Sequence, residues 1–266
     1  LNAYEDYVSS RQPRPKGRPE AHHFDFTYGN TGFFVFDTRT ERSAHAKQIV
    51  SEEQLRAFES WLAESTHDLR FVVSSVPFVA QLRPPGLDRS GARHGDGRAD
   101  KWSGKDWKTQ RDRVIRRLFE QGNRPLIFLV GDMHCTYHAT LQIGEPRERV
   151  LIHELAGGPV NQLLFATRDR FYDRFHGSVP KEKGPGGTVE ELPWVSTLQA
   201  FNGASPSILR VSVSAEKGSP LEVRWSALRT SIAPTERKDG PNRFERVDPD
   251  ELRGRIRFYR PPEESS

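Results

Sequence analysis

Five consecutive apolar residues, Leu126 to Val130, run straight into Gly131-Asp132-Met133-His134, and this junction constrains the fold more than any other stretch. A short apolar run without polar alternation, bounded by Pro125 and Gly131, suits a central strand buried on both faces. Open α/β sheets place their ligands at the carboxyl ends of such strands. Gly131 is expected to end the strand and to take the sharp backbone turn, so that Asp132 and His134 project from that end. A carboxylate and an imidazole two residues apart pair a hard oxygen donor with a borderline nitrogen donor and can ligate a metal. The same residues also suit a simpler arrangement, in which Asp132 caps the turn and His134 is a hydrogen-bonded core histidine.

Two further apolar runs repeat the pattern. Gly32 to Phe36 leads into the charged segment Asp37-Thr38-Arg39-Thr40-Glu41-Arg42, and Phe71 to Val76 stops at Pro77. Asp37 is placed to orient a ligand or bind metal, and Arg39 and Arg42 to grip an anion bidentately; a local salt-bridged loop fits the same residues. Between the runs, Ser51 with Gln54 three residues later reads as a capping segment. Leu55, Phe58, Trp61 and Leu62 follow at helical spacing, predicting a helix over 51–64. A second helix is expected from Asp106 to Glu120, with Arg111, Arg113, Arg116 and Arg117 as a solvated face around Val114, Ile115 and Leu118. His138 to Ile143 and Arg149 to Leu155 read as strands joined by a Gly-Glu-Pro turn. Ile208 to Ser214 and Leu221 to Trp225 read as an antiparallel hairpin. Ala80 to Gly104, rich in Gly, Pro, Arg and Asp, is a long loop of the kind that borders a site.

Lys and Arg number 40 against 36 Asp and Glu, and the resulting +4 is spread along the chain, so no nucleic-acid module is indicated. A pI near 9.3 favours an anionic substrate. The single cysteine, Cys135, excludes an intrachain disulfide and is expected to be a small buried hydrophobe. No stretch approaches the ~20 apolar residues of a membrane span. The chain opens Leu1-Asn2-Ala3 with no signal-peptide pattern, so it is expected to be a piece of a longer protein, and its compartment is not legible.

Laid out in order, these pieces resemble the later half of the PhoD-like alkaline phosphatases and phosphodiesterases, within the metallophosphoesterases of the calcineurin-like superfamily. The similarity is carried by F-F-V-F-D-T-R-T-E-R (33–42), Gln54 with Trp61-Leu62, and the strand ending S-S-V-P (74–77). It continues through Asp100, Trp102 and Gly104 with Arg111, G-D-M-H (131–134), His153-Glu154-Leu155, and Gly158-Pro159-Val160-Asn161. The resemblance implies a layered α/β/β/α sandwich with mixed sheets, incomplete in this chain. Residues 24–229 would form the domain, 1–23 an extended N-terminal segment and 230–266 a charged, Pro-rich tail to which no fold is assigned. It implies metal-dependent hydrolysis of phosphate mono- or diesters, with Asp132 and His134 as metal ligands for a pair drawn from Fe, Ca, Zn or Mn. Asp37, Arg39 and Asp100 would contact substrate. The family's earlier motifs are absent, so the partner expected is the missing N-terminal half, in cis or as a second chain. The competing expectation is a non-catalytic remnant or partner-binding module of the same fold.

Overall fold

The computed structural model describes residues 21–81, 100–158, 172, 174–181, 190–202, 207–216, 219–229 and 252–258. Most of the N-terminal segment, most of the 80–104 loop, Pro159-Val160-Asn161, the glycines around 186 and most of the tail lie outside the described residues.

The three apolar runs become neighbouring parallel strands, β2 (Thr31–Val35), β3 (Leu69–Ser74) and β4 (Leu126–Val130). Helix α1 (Glu52–Glu64) joins the first pair, and α2 (Lys108–Glu120), entered through a 3-10 turn at Lys105–Trp107, precedes β4. To these the chain adds β1 (Phe24–Tyr28), β5 (Thr136–Ile143), β6 (Val150–Ala156), β7 (Arg174–Pro180) and β8 (Glu191–Asn202). Together they make one mixed eight-stranded sheet in the order β1-β2-β3-β4-β6-β5-β8-β7. The fold is thus mixed α/β with a large mixed sheet and few helices. Strands β7 and β8 are missing from the sequence reading; their alternation, with Phe175, Val179, Leu192 and Trp194 inward, is clear only beside β5.

Pleating divides the core in two. Phe34, Val72, Phe128 and Tyr137 face α1 and α2, packing with Leu55, Phe58, Val114, Ile115 and Leu118. Their sequence neighbours Phe71 and Ile127 face the other way, toward Leu221, Val223, Trp225 and Ile256. Complete burial of one such side chain, as at Phe128, contributes about 1.5–3 kcal/mol. The second group belongs to a small antiparallel sheet of β9 (Ser207–Ser214), β10 (Leu221–Arg229) and β11 (Arg253–Phe258), in the order β11-β10-β9. The tail left without a fold by the sequence therefore supplies a strand, with Ile256 paired to Val223.

One helix face differs from its sequence reading. Arg111 is completely buried, lying 4.6 Å over the Trp194 ring and 5.4 Å over Phe78, with Nε donating to the Phe78 carbonyl at 3.3 Å. Its spacing from Val114, Ile115 and Leu118 is that of a core face, and its stem follows them inward. Arg113 and Arg117 do stay at the surface, pairing with Glu59, Glu52 and Glu120.

Candidate active site at the ends of the parallel strands

Strand β4 ends at Val130, but Gly131 does not take the left-handed turn. Asp132 and His134 do, at φ 61° and 53°. Two non-glycine residues in the left-handed region within three positions cost backbone energy, and such conformations concentrate at functional loops. The loop emerges beside the ends of β2 and β3, as open parallel sheets dictate.

Asp132 is exposed and its carboxylate pairs with the Lys101 ammonium, which also lies 3.0 Å from Asp100 Oδ2. Lys101 is itself buried, at 3% exposure, because Trp102 anchors the segment. That indole packs edge-on to Phe36 and Phe78 and donates Nε1–H to Ser74 Oγ at 3.4 Å. The acidic end of the loop therefore already attracts a cation. His134 is half-buried, and Cys135 behind it is fully buried.

Following β2, Asp37 spends its carboxylate on its own loop. It accepts from Arg39 N at 2.9 Å, Thr40 N at 3.0 Å and the Thr40 hydroxyl. Its backbone is clamped by Gln54, whose Oε1 accepts from Asp37 N at 2.7 Å while Nε2 donates to Asp37 O at 3.0 Å. The Ser51 hydroxyl does cap α1, accepting from Gln54 N at 3.2 Å, but the Gln54 side chain reaches this loop instead of closing the cap. Thr38 and Ser75 join the ends of β2 and β3 through their hydroxyls at 2.5 Å.

Arg39 is exposed, whereas Arg42 is fixed. Arg42 Nε donates to Thr38 O at 3.0 Å and Nη1 to Asp100 O at 3.2 Å, while its Nη2 is buried without a hydrogen-bond partner. Burial, then the neighbouring Arg39 charge, lower the Arg42 pKa; Asp100 and Asp132 oppose this. Asp37, Arg42, Asp100 and Asp132 are thus linked through Lys101 and the 37–42 loop, although their sequence separations hide it.

The sequence reading quoted Glu154 only as part of a motif. It is a fully buried carboxylate that accepts from Phe78 N at 2.7 Å, Val79 N at 2.8 Å, Ala80 N at 2.8 Å and Tyr137 Oη at 2.8 Å. It thereby ties the chain after β3 to the sheet. Desolvation raises its pKa, and the four hydrogen bonds oppose that shift. A charged residue between apolar neighbours in a core strand was the available signal.

Among the described residues no group of three or more His, Cys, Asp or Glu is gathered to hold a metal ion. Asp132 and His134 fit as a two-donor arm of a metal centre by donor chemistry, and the cation attracted to Asp132 agrees with that polarity.

Carboxyl-end loops from three parallel strands, converging on an acidic pair with a fixed arginine, define the α/β phosphoesterase class of architecture. The PhoD-like phosphatase family profile matches residues 1–193, and the chain belongs to that family. A solved structure described as "Structure of PhoD" superposes with a TM-score of 0.54 at 18% identity, covering 85% of this chain and 42% of that one. The likeness is one of fold, and this chain spans less than half the length of that relative. No curated protein sequence matches.

Proposed function

We propose that the chain is part of a metal-dependent phosphoesterase acting on phosphate mono- or diesters, completed by a preceding segment in cis or by a second chain. The observation that carries this reading is the pair of left-handed residues, Asp132 and His134, at the carboxyl end of β4 in a PhoD-like phosphatase. Asp132 and His134 would hold one side of a metal pair, whose identity among Fe, Ca, Zn and Mn is open. When bound, such a pair lowers the pKa of a water and neutralises phosphate charge. Arg42, held by two carbonyls with Nη2 unspent, is suited to take a phosphate oxygen. Arg39 is available as a second, mobile contact. Asp37 positions that loop, and Asp100 acts through Lys101. The complete protein would layer as α/β/β/α, with β9–β11 contributing to the second sheet.

The non-catalytic alternative is favoured by one observation, the Lys101 ammonium already neutralising Asp132. Metal analysis separates the two. In the phosphoesterase reading, the purified protein retains metal, His134→Ala and Asp132→Ala reduce it without unfolding, and a longer chain hydrolyses bis-p-nitrophenyl phosphate faster than this one. Metal-free protein under all loading conditions, with both chain lengths inactive, supports the alternative.

A further inference from the structure

The small sheet turns one face to the core and the other to solvent. Leu221, Val223, Trp225 and Ile256 face inward. The strand register arranges the outer face in three rows, Arg210-Ser226-Arg253, Ser212-Arg224-Arg255 and Ser214-Glu222-Arg257. Five arginines less one glutamate leave this face four charges positive. Those arginines lie in separate stretches of the sequence, and only the pairing of β9, β10 and β11 brings them together.

Four of them, Arg210, Arg224, Arg253 and Arg255, line a depression of about 740 Å³ with Ser212 and Ser226. The short serines leave depth between the long cations and present hydroxyl donors. Glu222 gathers the far end, accepting from Arg224 Nε at 2.5 Å and Arg257 Nε at 3.0 Å and lying 3.3 Å from Arg255 Nε. The cations on these rows are all arginine, whose planar fork matches a phosphate with two parallel hydrogen bonds.

Residues two apart on a strand lie about 7 Å apart and adjacent strands about 4.8 Å apart. The face therefore offers cation positions over an area larger than one phosphate, with Arg253, Arg255 and Arg257 in line along β11. Successive phosphates of an extended polymer can match such a row. The apolar pair on this face, Ile208 and Leu228, sits at one end, and the three rows carry no ring on which a base could stack. That disfavours both insertion into a bilayer and base-specific readout, leaving backbone contacts. The same end lies beside the candidate active site, because Ser207 at the start of β9 hydrogen-bonds Thr136, the residue after Cys135.

We propose that the outer face of β9–β11 binds the phosphodiester backbone of single-stranded nucleic acid without base preference. Binding is independent of the hydrolytic reading and is measured directly. The probe is a short fluorescent oligothymidylate, followed by anisotropy in EDTA with the whole chain. If the four arginines of the depression each neutralise a phosphate, affinity falls roughly 50-fold between 50 and 200 mM salt, from a slope of about −0.7 per contact. Arg210→Gln with Arg253→Gln reduces that loss to roughly 7-fold and weakens binding at low salt, with the circular dichroism spectrum unchanged. Glu222→Gln, which removes the competing carboxylate, tightens binding and serves as a gain-of-affinity check. Salt-independent binding, equal binding by the double arginine variant, or stronger binding to phosphatidylglycerol vesicles than to the oligonucleotide would overturn the proposal.

Discussion

His138 and His153 provide a measurable acid sensitivity at the junction of the two sheets. His138 Nε2 and His153 Nδ1 are 3.0 Å apart, so one ring donates and the other accepts. The Trp225 ring of β10 meets His138 edge-on at 5.5 Å, and Phe258 of β11 meets His153 at 5.8 Å. Burial lowers both pKa values from 6.5 to about 4, with the charge of His138 adding to the effect on His153. A folded-state pKa below the unfolded one means that the unfolded chain binds more protons between about pH 4 and 6.5. The pair's contribution to stability is therefore fully present above pH 6.5 and is lost as the pH falls toward 4. Between pH 7.5 and 5 linkage gives a loss of about 2 kcal/mol per histidine, or about 4 kcal/mol for the pair. The accepting ring must also give up the hydrogen bond to take its proton.

His138→Gln with His153→Gln keeps polar partners but removes the titration. Urea unfolding followed by tryptophan fluorescence at the two pH values reads the difference. The double variant loses about 4 kcal/mol less than the parent on acidification, a midpoint difference of roughly 1.3–2 M at a slope of about 2–3 kcal/mol/M. The remaining histidines and carboxylates are common to both proteins and cancel in the comparison. Identical acid dependence in parent and variant would refute the assignment of the low pKa values to this pair.

Other substitutions test other parts of the structure. Glu154→Ala strands the buried N–H groups of Phe78, Val79 and Ala80, and calorimetry should show a loss of roughly 3 kcal/mol or more, a fall in Tm of about 10 °C. Arg111→Lys retains charge but loses the planar packing between Phe78 and Trp194, for a loss of about 1–2 kcal/mol in urea unfolding. An unchanged midpoint would show that the stacking contributes nothing. His134→Gly relieves the left-handed backbone strain, so Tm should hold or rise slightly while metal content drops; a large fall in Tm would make His134 a packing residue.

Local pattern was enough for β2, β3, β4, α1 and the β5–β6 and β9–β10 hairpins, because apolar runs, helical spacing and turn residues act over a few positions. The G-D-M-H junction was legible for the same reason, since its strand and loop are consecutive in the chain. Its backbone was not: Gly131 has the freedom to turn, yet the turn falls on Asp132 and His134, a choice made where the loop meets Lys101 and the end of β3. Strands β7, β8 and β11 depended on partners far away in sequence, and Arg111 looked solvated until Trp194 arrived from β8 to cover it. The histidine pair, the Glu154 clamp and the arginine rows have no signature in any window of sequence. Each consists of residues on different strands, and their meeting is decided by register, which shifts an entire side-chain set to the opposite face for a slip of one residue. Composition reported a charge of +4 spread along the chain; pleating placed five arginines on a single face of the small sheet.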